Sequence, residues 1–185
     1  MGEEKNDRAE LPGFVAWPSF PFEGDIRVRT PPEQSYEPKR AGDPDGPPCR
    51  CPEPDANFIW TDAHWRVRAA EPKPVPLVFL ETREHLDLDE LPDALLVELG
   101  PMVRRVERAI RSTGDISRVH FHRWGDGSAH FHMWFFGRPR GALHLLGMGT
   151  SMWAEILPPM SRDEWSACMD AIARDLAAGG GRASP

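Results

Sequence analysis

The chain has 185 residues, about 40% of them hydrophobic, with a formal net charge of −7. That length suits one domain, or one domain with an irregular arm, and the apolar share is enough for one real core. The acidic balance argues against a nucleic-acid partner and leaves room for a local cationic pocket. No apolar run approaches the roughly 18 residues that span a bilayer, and the charged opening MGEEKNDRAE has no apolar signal core, so a cytoplasmic protein without a membrane partner is expected.

Residues 1–48 hold nine of the twenty prolines, among them Pro31, Pro32, Pro47 and Pro48. Proline fixes φ and removes a donor, so this segment reads as an extended arm rather than a helix. Phe14, Trp17, Phe20 and Phe22 are anchors that want burial, and the alternating stretch Asp25–Arg29 suits a short strand. Phe58–Thr61 and Trp65–Ala69 read as two strands around a turn. The apolar run Val75–Leu80 suits an interior strand, and a loop follows over Glu81–Glu90. Apolar positions Leu95, Leu99, Met102, Val106 and Ile110 recur at three- and four-residue spacing, so a helix is predicted from Pro92 to Ser112, with Gly100-Pro101 expected to kink or split it.

Two strands are then predicted, Arg118–Trp124 and Ala129–Phe136, joined by a hairpin at Gly125-Asp126-Gly127. A C-terminal helix is expected from Arg162 to about Ala177, capped by Ser161 with Glu164 completing a capping box. The organisation that follows is an arm over 1–48, a core over 49–140, a C-terminal loop and helix over 141–178, and a mobile tail over 179–185.

The chemistry-bearing residues are concentrated. His85, His120, His122, His130 and His132 are five of the seven histidines. Side chains alternate along a strand, so His130, His132 and Trp134 would share a face, as would His120 and His122 on the preceding strand. If the hairpin pairs as predicted, up to four imidazoles become near neighbours, depending on register. Neutral imidazole serves as metal ligand, nucleophile or general base. A polar outer sheet face that carries histidines is the other reading of the same pattern. The three cysteines, Cys49, Cys51 and Cys168, argue against a disulfide framework. Cys49 and Cys51 are too close for a good mutual bridge, and either a shared metal or free thiols fits them. Cys168 reads as a small buried apolar residue of the C-terminal helix.

The run His130-Phe131-His132-Met133-Trp134-Phe135-Phe136, followed by Gly137-Arg138-Pro139, resembles the histidine-triad motif, in which histidines alternate with apolar residues. Upstream, IWTDAHWRVRA resembles the first hairpin of that superfamily. PLVFLETREHLDLDELPDALLVEL resembles its next strand, a histidine after a basic loop, and its long helix. Asp126-Gly127-Ser128-Ala129 resembles its phosphate loop. The resemblance implies an α+β fold, with an antiparallel sheet of about five strands and one long helix, joined here by the arm and the C-terminal helix.

The third histidine is replaced by Trp134. The galactose-1-phosphate uridylyltransferase branch also lacks that histidine, and similarity to it implies structural zinc on Cys49, Cys51, His85 and His130. Cys-x-Cys here replaces the Cys-x-x-Cys of that branch. By the same resemblance His132 is the nucleophile, forming a nucleotidyl-histidine intermediate on a nucleotide or nucleotide-conjugate substrate. His122, Gly127, Ser128 and Trp134 are the implied substrate contacts, and a homodimer is implied as well. The function expected is a nucleotide phosphate hydrolase or nucleotidyltransferase. The alternative is a degenerate nucleotide-binding or zinc-stabilised interaction protein.

Overall fold

The computed structural model describes residues 11–18, 20–28 and 36–184. β1 (Trp60–Thr61), β2 (Trp65–Ala69) and β3 (Leu77–Thr82) form an antiparallel meander. β4 (Ile116–His122) pairs antiparallel with β5 (His132–Pro139), and β5 lies beside β3. β6 (Arg182–Ala183) pairs with β1, so the sheet order is β4-β5-β3-β2-β1-β6. The fold is α+β, with six strands rather than about five.

Alternation decides what each face of the sheet does. Trp65, Val67, Val78, Leu80 and Phe135 are buried on one side. They pack in one core with Val106 and Ile110 of α1 (Asp93–Arg111) and Ile172 and Leu176 of α3 (Arg162–Ala178). Each such side chain contributes about 1.5–3 kcal/mol on burial. The opposite face carries Arg68, Phe79, Glu81, His132 and Trp134. A second core covers part of it, where Leu77, Phe79 and Phe136 meet Leu145 and Ala154, the latter on α2 (Gly149–Ile156). The remainder is an open cleft.

Several expectations are corrected. α1 is not split at Gly100-Pro101. It runs unbroken through Pro101, which faces solvent, so the Val97 carbonyl left without a donor is open to water. The two motif strands are Ile116–His122 and His132–Pro139, and residues 123–131 between them make a long excursion rather than a tight hairpin. Glu81 and Thr82, read as loop, extend β3. Among the described residues Asp25–Val28 form no strand, and Arg29 lies outside them. The arm aromatics pack on one another, with Phe14–Phe20 and Phe20–Phe22 centroids 6.0 and 5.6 Å apart, and Trp17 and Phe22 stay exposed.

The segment read as a mobile tail is also different. Gly180 and Gly181 turn with φ of 111° and 74°, and the chain then adds β6 to the edge of β1. Trp60 is fully buried, and its indole N–H finds its acceptor in Gly180 O at 2.9 Å. A buried indole needs such a partner and an open strand edge favours pairing, which together account for the docking. Ser161 and Glu164 form the predicted capping box at the start of α3.

Candidate active site and metal centre

The sheet delivers His132 to the first position of β5, on the open face. Its Nδ1 donates to the carbonyl oxygen of His130 at 2.9 Å. That bond sets the ring plane and, in the neutral ring, the tautomer, which puts the lone pair on Nε2. Among the described residues Nε2 has no hydrogen-bond partner, and the half-buried ring lines a cleft of about 310 Å³. Gly127, Ser128 and Trp134 line the same cleft. Ser128 is already engaged: its hydroxyl donates to Ala41 O at 3.3 Å and accepts from His130 N at 3.1 Å. Trp134 stands edge-on to Phe79 at 4.5 Å and holds its indole flank against the cleft.

Four cleft residues had no clear sequence signal. Arg50 and Arg68 bring positive charge, and Phe79 and Glu81 come from β3. The sequence reads Phe79 as part of a continuous apolar strand and Glu81 as loop; only β3, running on to Thr82 and pairing with β5, brings them to His132. Arg68 lies over the Phe79 ring at 4.5 Å and donates to Glu81 Oε1 through Nε at 2.9 Å and through Nη2.

Cys49, Cys51 and His130 of the cleft wall and His85 next to it each offer one ligand atom, all within 4.8 Å of one another. Two thiolates and two imidazoles are a zinc donor set, and a tetrahedral ion with bonds of about 2.0–2.3 Å needs them only slightly closer. Outer contacts orient the set. His130 Nε2 donates to Thr82 O at 2.8 Å, which leaves Nδ1 facing Cys49 Sγ at 3.5 Å. His85 Nε2 meets Gly42 O at 3.2 Å. Metal-bound imidazoles are typically tethered through the second nitrogen in this way. Gly42 has φ 95°, and a Cβ there would lie 2.3 Å from His85 Cε1. Burial, and then the neighbouring Cys49, push the Cys51 thiol up, a cost that a divalent cation removes. The residues therefore fit a metal.

Arg66 braces this corner. It is 3% exposed and donates to Cys51 O at 3.2 Å and to Thr82 O at 3.4 Å. The arm clasps the other side. Ala41 N donates to Gly127 O and Ala129 N to Ala41 O, both at 3.0 Å. Arg40 and Arg123 converge on the Asp87 carboxylate, the former at 2.8 Å. Burial alone would raise the Asp87 carboxyl, but the Leu88 amide and the two arginines outweigh it and hold the group below its ordinary value.

The four-imidazole cluster does not form. In the actual register His122 faces Trp134 and His120 faces Phe136, while His132 faces Glu81 on β3. His130 precedes β5 rather than sharing its face with His132. Trp134 therefore stands between His132 and His122, whose ring lies 6.3 Å from the indole. His122 lines a separate cavity of about 580 Å³ with His120, Trp124 and Met148. Burial lowers both His120 and His122, each with its Nε2 buried and unpartnered among the described residues. Gly125 lies outside the cleft lining, and its carbonyl accepts from Arg40 at 3.3 Å.

The fold that carries this site is that of histidine triad proteins. A histidine triad protein from Bradyrhizobium japonicum superposes with TM-score 0.54 at 16% identity, over 64% of this chain and 89% of that one. One from Sinorhizobium meliloti 1021 gives 0.54 at 15%, over 64% and 87%, and one from Marinobacter aquaeolei VT8 gives 0.53 at 17%, over 66% and 88%. At these identities the likeness establishes the fold. No family model and no curated protein matches the sequence.

Proposed function

We propose that this protein is a nucleotide phosphate hydrolase or nucleotidyltransferase that works through a covalent nucleotidyl-His132 intermediate. One observation carries the reading: His132 is tethered through Nδ1 to a main-chain carbonyl at 2.9 Å, with Nε2 unpartnered among the described residues, in a ring that lines a cleft. Attack by Nε2 on an α-phosphorus places positive charge on the imidazole, and the His130 carbonyl offsets it through the Nδ1 proton. Arg50 and Arg68 are ion-paired with Glu53 and Glu81, and their guanidinium N–H groups not taken by those carboxylates are donors for a phosphate in the cleft. Structural zinc on Cys49, Cys51, His85 and His130 would fix the loop that presents this carbonyl. Within this reading Gly127 and Ser128 contact the phosphate, Trp134 excludes water, and His122 acts from beyond the indole.

The test is a substrate screen over nucleoside phosphoramidates, dinucleoside polyphosphates and nucleotide sugars. His132→Ala is expected to abolish turnover, a loss of at least about 10³-fold, while circular dichroism stays unchanged. A screen in which no turnover depends on His132 ends the enzymatic reading. The second reading, a nucleotide-binding protein without catalysis, is favoured by Trp134, which has an N–H but no lone pair to exchange a proton. Calorimetry that detects nucleoside monophosphate binding alongside an empty screen selects it.

A further inference from the structure

We infer that Glu81 is the proton acceptor of the second half-reaction, the step that removes the nucleotidyl group from His132. The inference rests on the nucleotidyl-histidine reading above. Glu81 and His132 are register partners on β3 and β5. Residues directly opposite on antiparallel strands have Cβ atoms about 4.5–5.5 Å apart, on the same face. Both side chains line the same cleft.

Glu81 is 6% exposed, and buried carboxylates are rare unless they are paired. Arg68 satisfies one oxygen only, since both of its donors go to Oε1. Oε2 has no donor among the described residues. The pair is held in place by the Arg68 guanidinium lying over Phe79. One carboxylate oxygen is thus fixed by Arg68, and the residue lines the cleft beside His132 with its other oxygen uncommitted among the described residues.

Chemistry gives that oxygen a task. Water or an alcohol attacking the nucleotidyl group must lose a proton, and Trp134, the next residue on the same face, has no lone pair to take it. In the step assigned to Glu81, the acceptor oxygen bonds to phosphorus while its proton passes to Oε2. The P–Nε2 bond breaks, and its electron pair returns to the imidazole. Nδ1 keeps its proton on the His130 carbonyl throughout, and Glu81 then gives its proton to solvent.

The experiment uses the full-length protein with nucleoside 5′-phosphoramidates of each common base, in wild type, Glu81→Gln and Glu81→Asp. Steady-state turnover is measured beside the product burst and the intact mass after alkaline quench. Glu81→Gln is expected to keep a burst approaching one product per chain, to slow steady turnover about 10²–10³-fold, and to accumulate protein heavier by one nucleotidyl group. Glu81→Asp, which keeps a carboxylate one methylene shorter, is expected to recover part of the rate and to accumulate less adduct.

Loss of Arg68 neutralisation alone would lower the burst and the later step together, and that pattern overturns the assignment. So does a Glu81→Gln protein with wild-type turnover and no adduct, in which case the His132 reading survives. A wild type that forms no adduct and turns over no phosphoramidate brings down both readings. Should Glu81→Gln fail to fold by circular dichroism, Glu81→Asp decides: slow turnover with adduct supports the role, and slow turnover without adduct overturns it.

Discussion

His130 joins the two halves of the site. Its ring faces Cys49 through Nδ1 and reaches Thr82 O through Nε2, while its carbonyl receives the His132 proton. A metal on that ring would hold the carbonyl still and, through it, the His132 ring. Protein purified without chelator is therefore expected to carry about one zinc per chain by elemental analysis. Cys49→Ser and Cys51→Ser are each expected to lose most of that metal and to melt at lower temperature, because metal binding free energy is also folding free energy. Wild-type protein free of zinc would remove the metal from the proposal. Resemblance named these four residues, and the fold brings them together from three segments far apart in sequence. Spacing could not have done so, because a Cys-x-Cys pair and two histidines that far away in sequence match no local motif.

Among the elements, the excursion 123–131 between β4 and β5 depends most on contacts from elsewhere. Its main chain is pinned by Ala41, and Asp87 links Arg40 of the arm to Arg123 of the excursion. Asp87→Asn leaves two arginines without their shared partner and is expected to lower the melting temperature at neutral pH. The folded carboxyl titrates below its ordinary value of 3.8, so its contribution is complete above that pH. It is lost as pH falls through the lower folded value. The gap in melting temperature between wild type and Asp87→Asn should thus be full at pH 6 and shrink in strong acid. A gap that stays constant over that range would show that the ion triad contributes nothing. The strands themselves were readable, since Trp65–Ala69 alternates and matches β2 in full. The excursion was not, because Gly125-Asp126-Gly127 has the composition of a hairpin turn and the partner that opens it out is the arm.

For the molecule as a whole, one face of the sheet is sealed and the other is left half open. α1 and α3 cover most of the first, although Phe121 at its β4 edge stays exposed, and the second is left for polar side chains. The chain end completes the sealed side. Gly181 sits at φ 74°, and a Cβ there would lie 2.4 Å from Trp60 Cζ2 and 2.7 Å from Thr61 O. Gly181→Ala is expected to cost about 1–3 kcal/mol in urea unfolding, combining backbone strain with crowding against a buried indole. No change in the unfolding midpoint would mean that β6 adds nothing to the fold. Composition hid this strand. A run of three glycines reads as mobile, and only the unsatisfied indole and the free edge of β1 give it a place to dock.

Taken alone, the sequence determined the elements with strong local periodicity: β2, the amphipathic α1 and the capped α3. It also marked His132 as a residue with chemical potential, on the strand face opposite Phe131, Met133 and Phe135, while Arg68 and Glu81 carried no such mark and Glu81 read as loop. The tertiary structure decided which of these residues meet. Register is a long-range property, and one pairing of β3 with β5 put Glu81 opposite His132, while the pairing of β4 with β5 put His122 behind Trp134. Periodicity speaks for single strands, whereas a site is made by the strands that lie side by side.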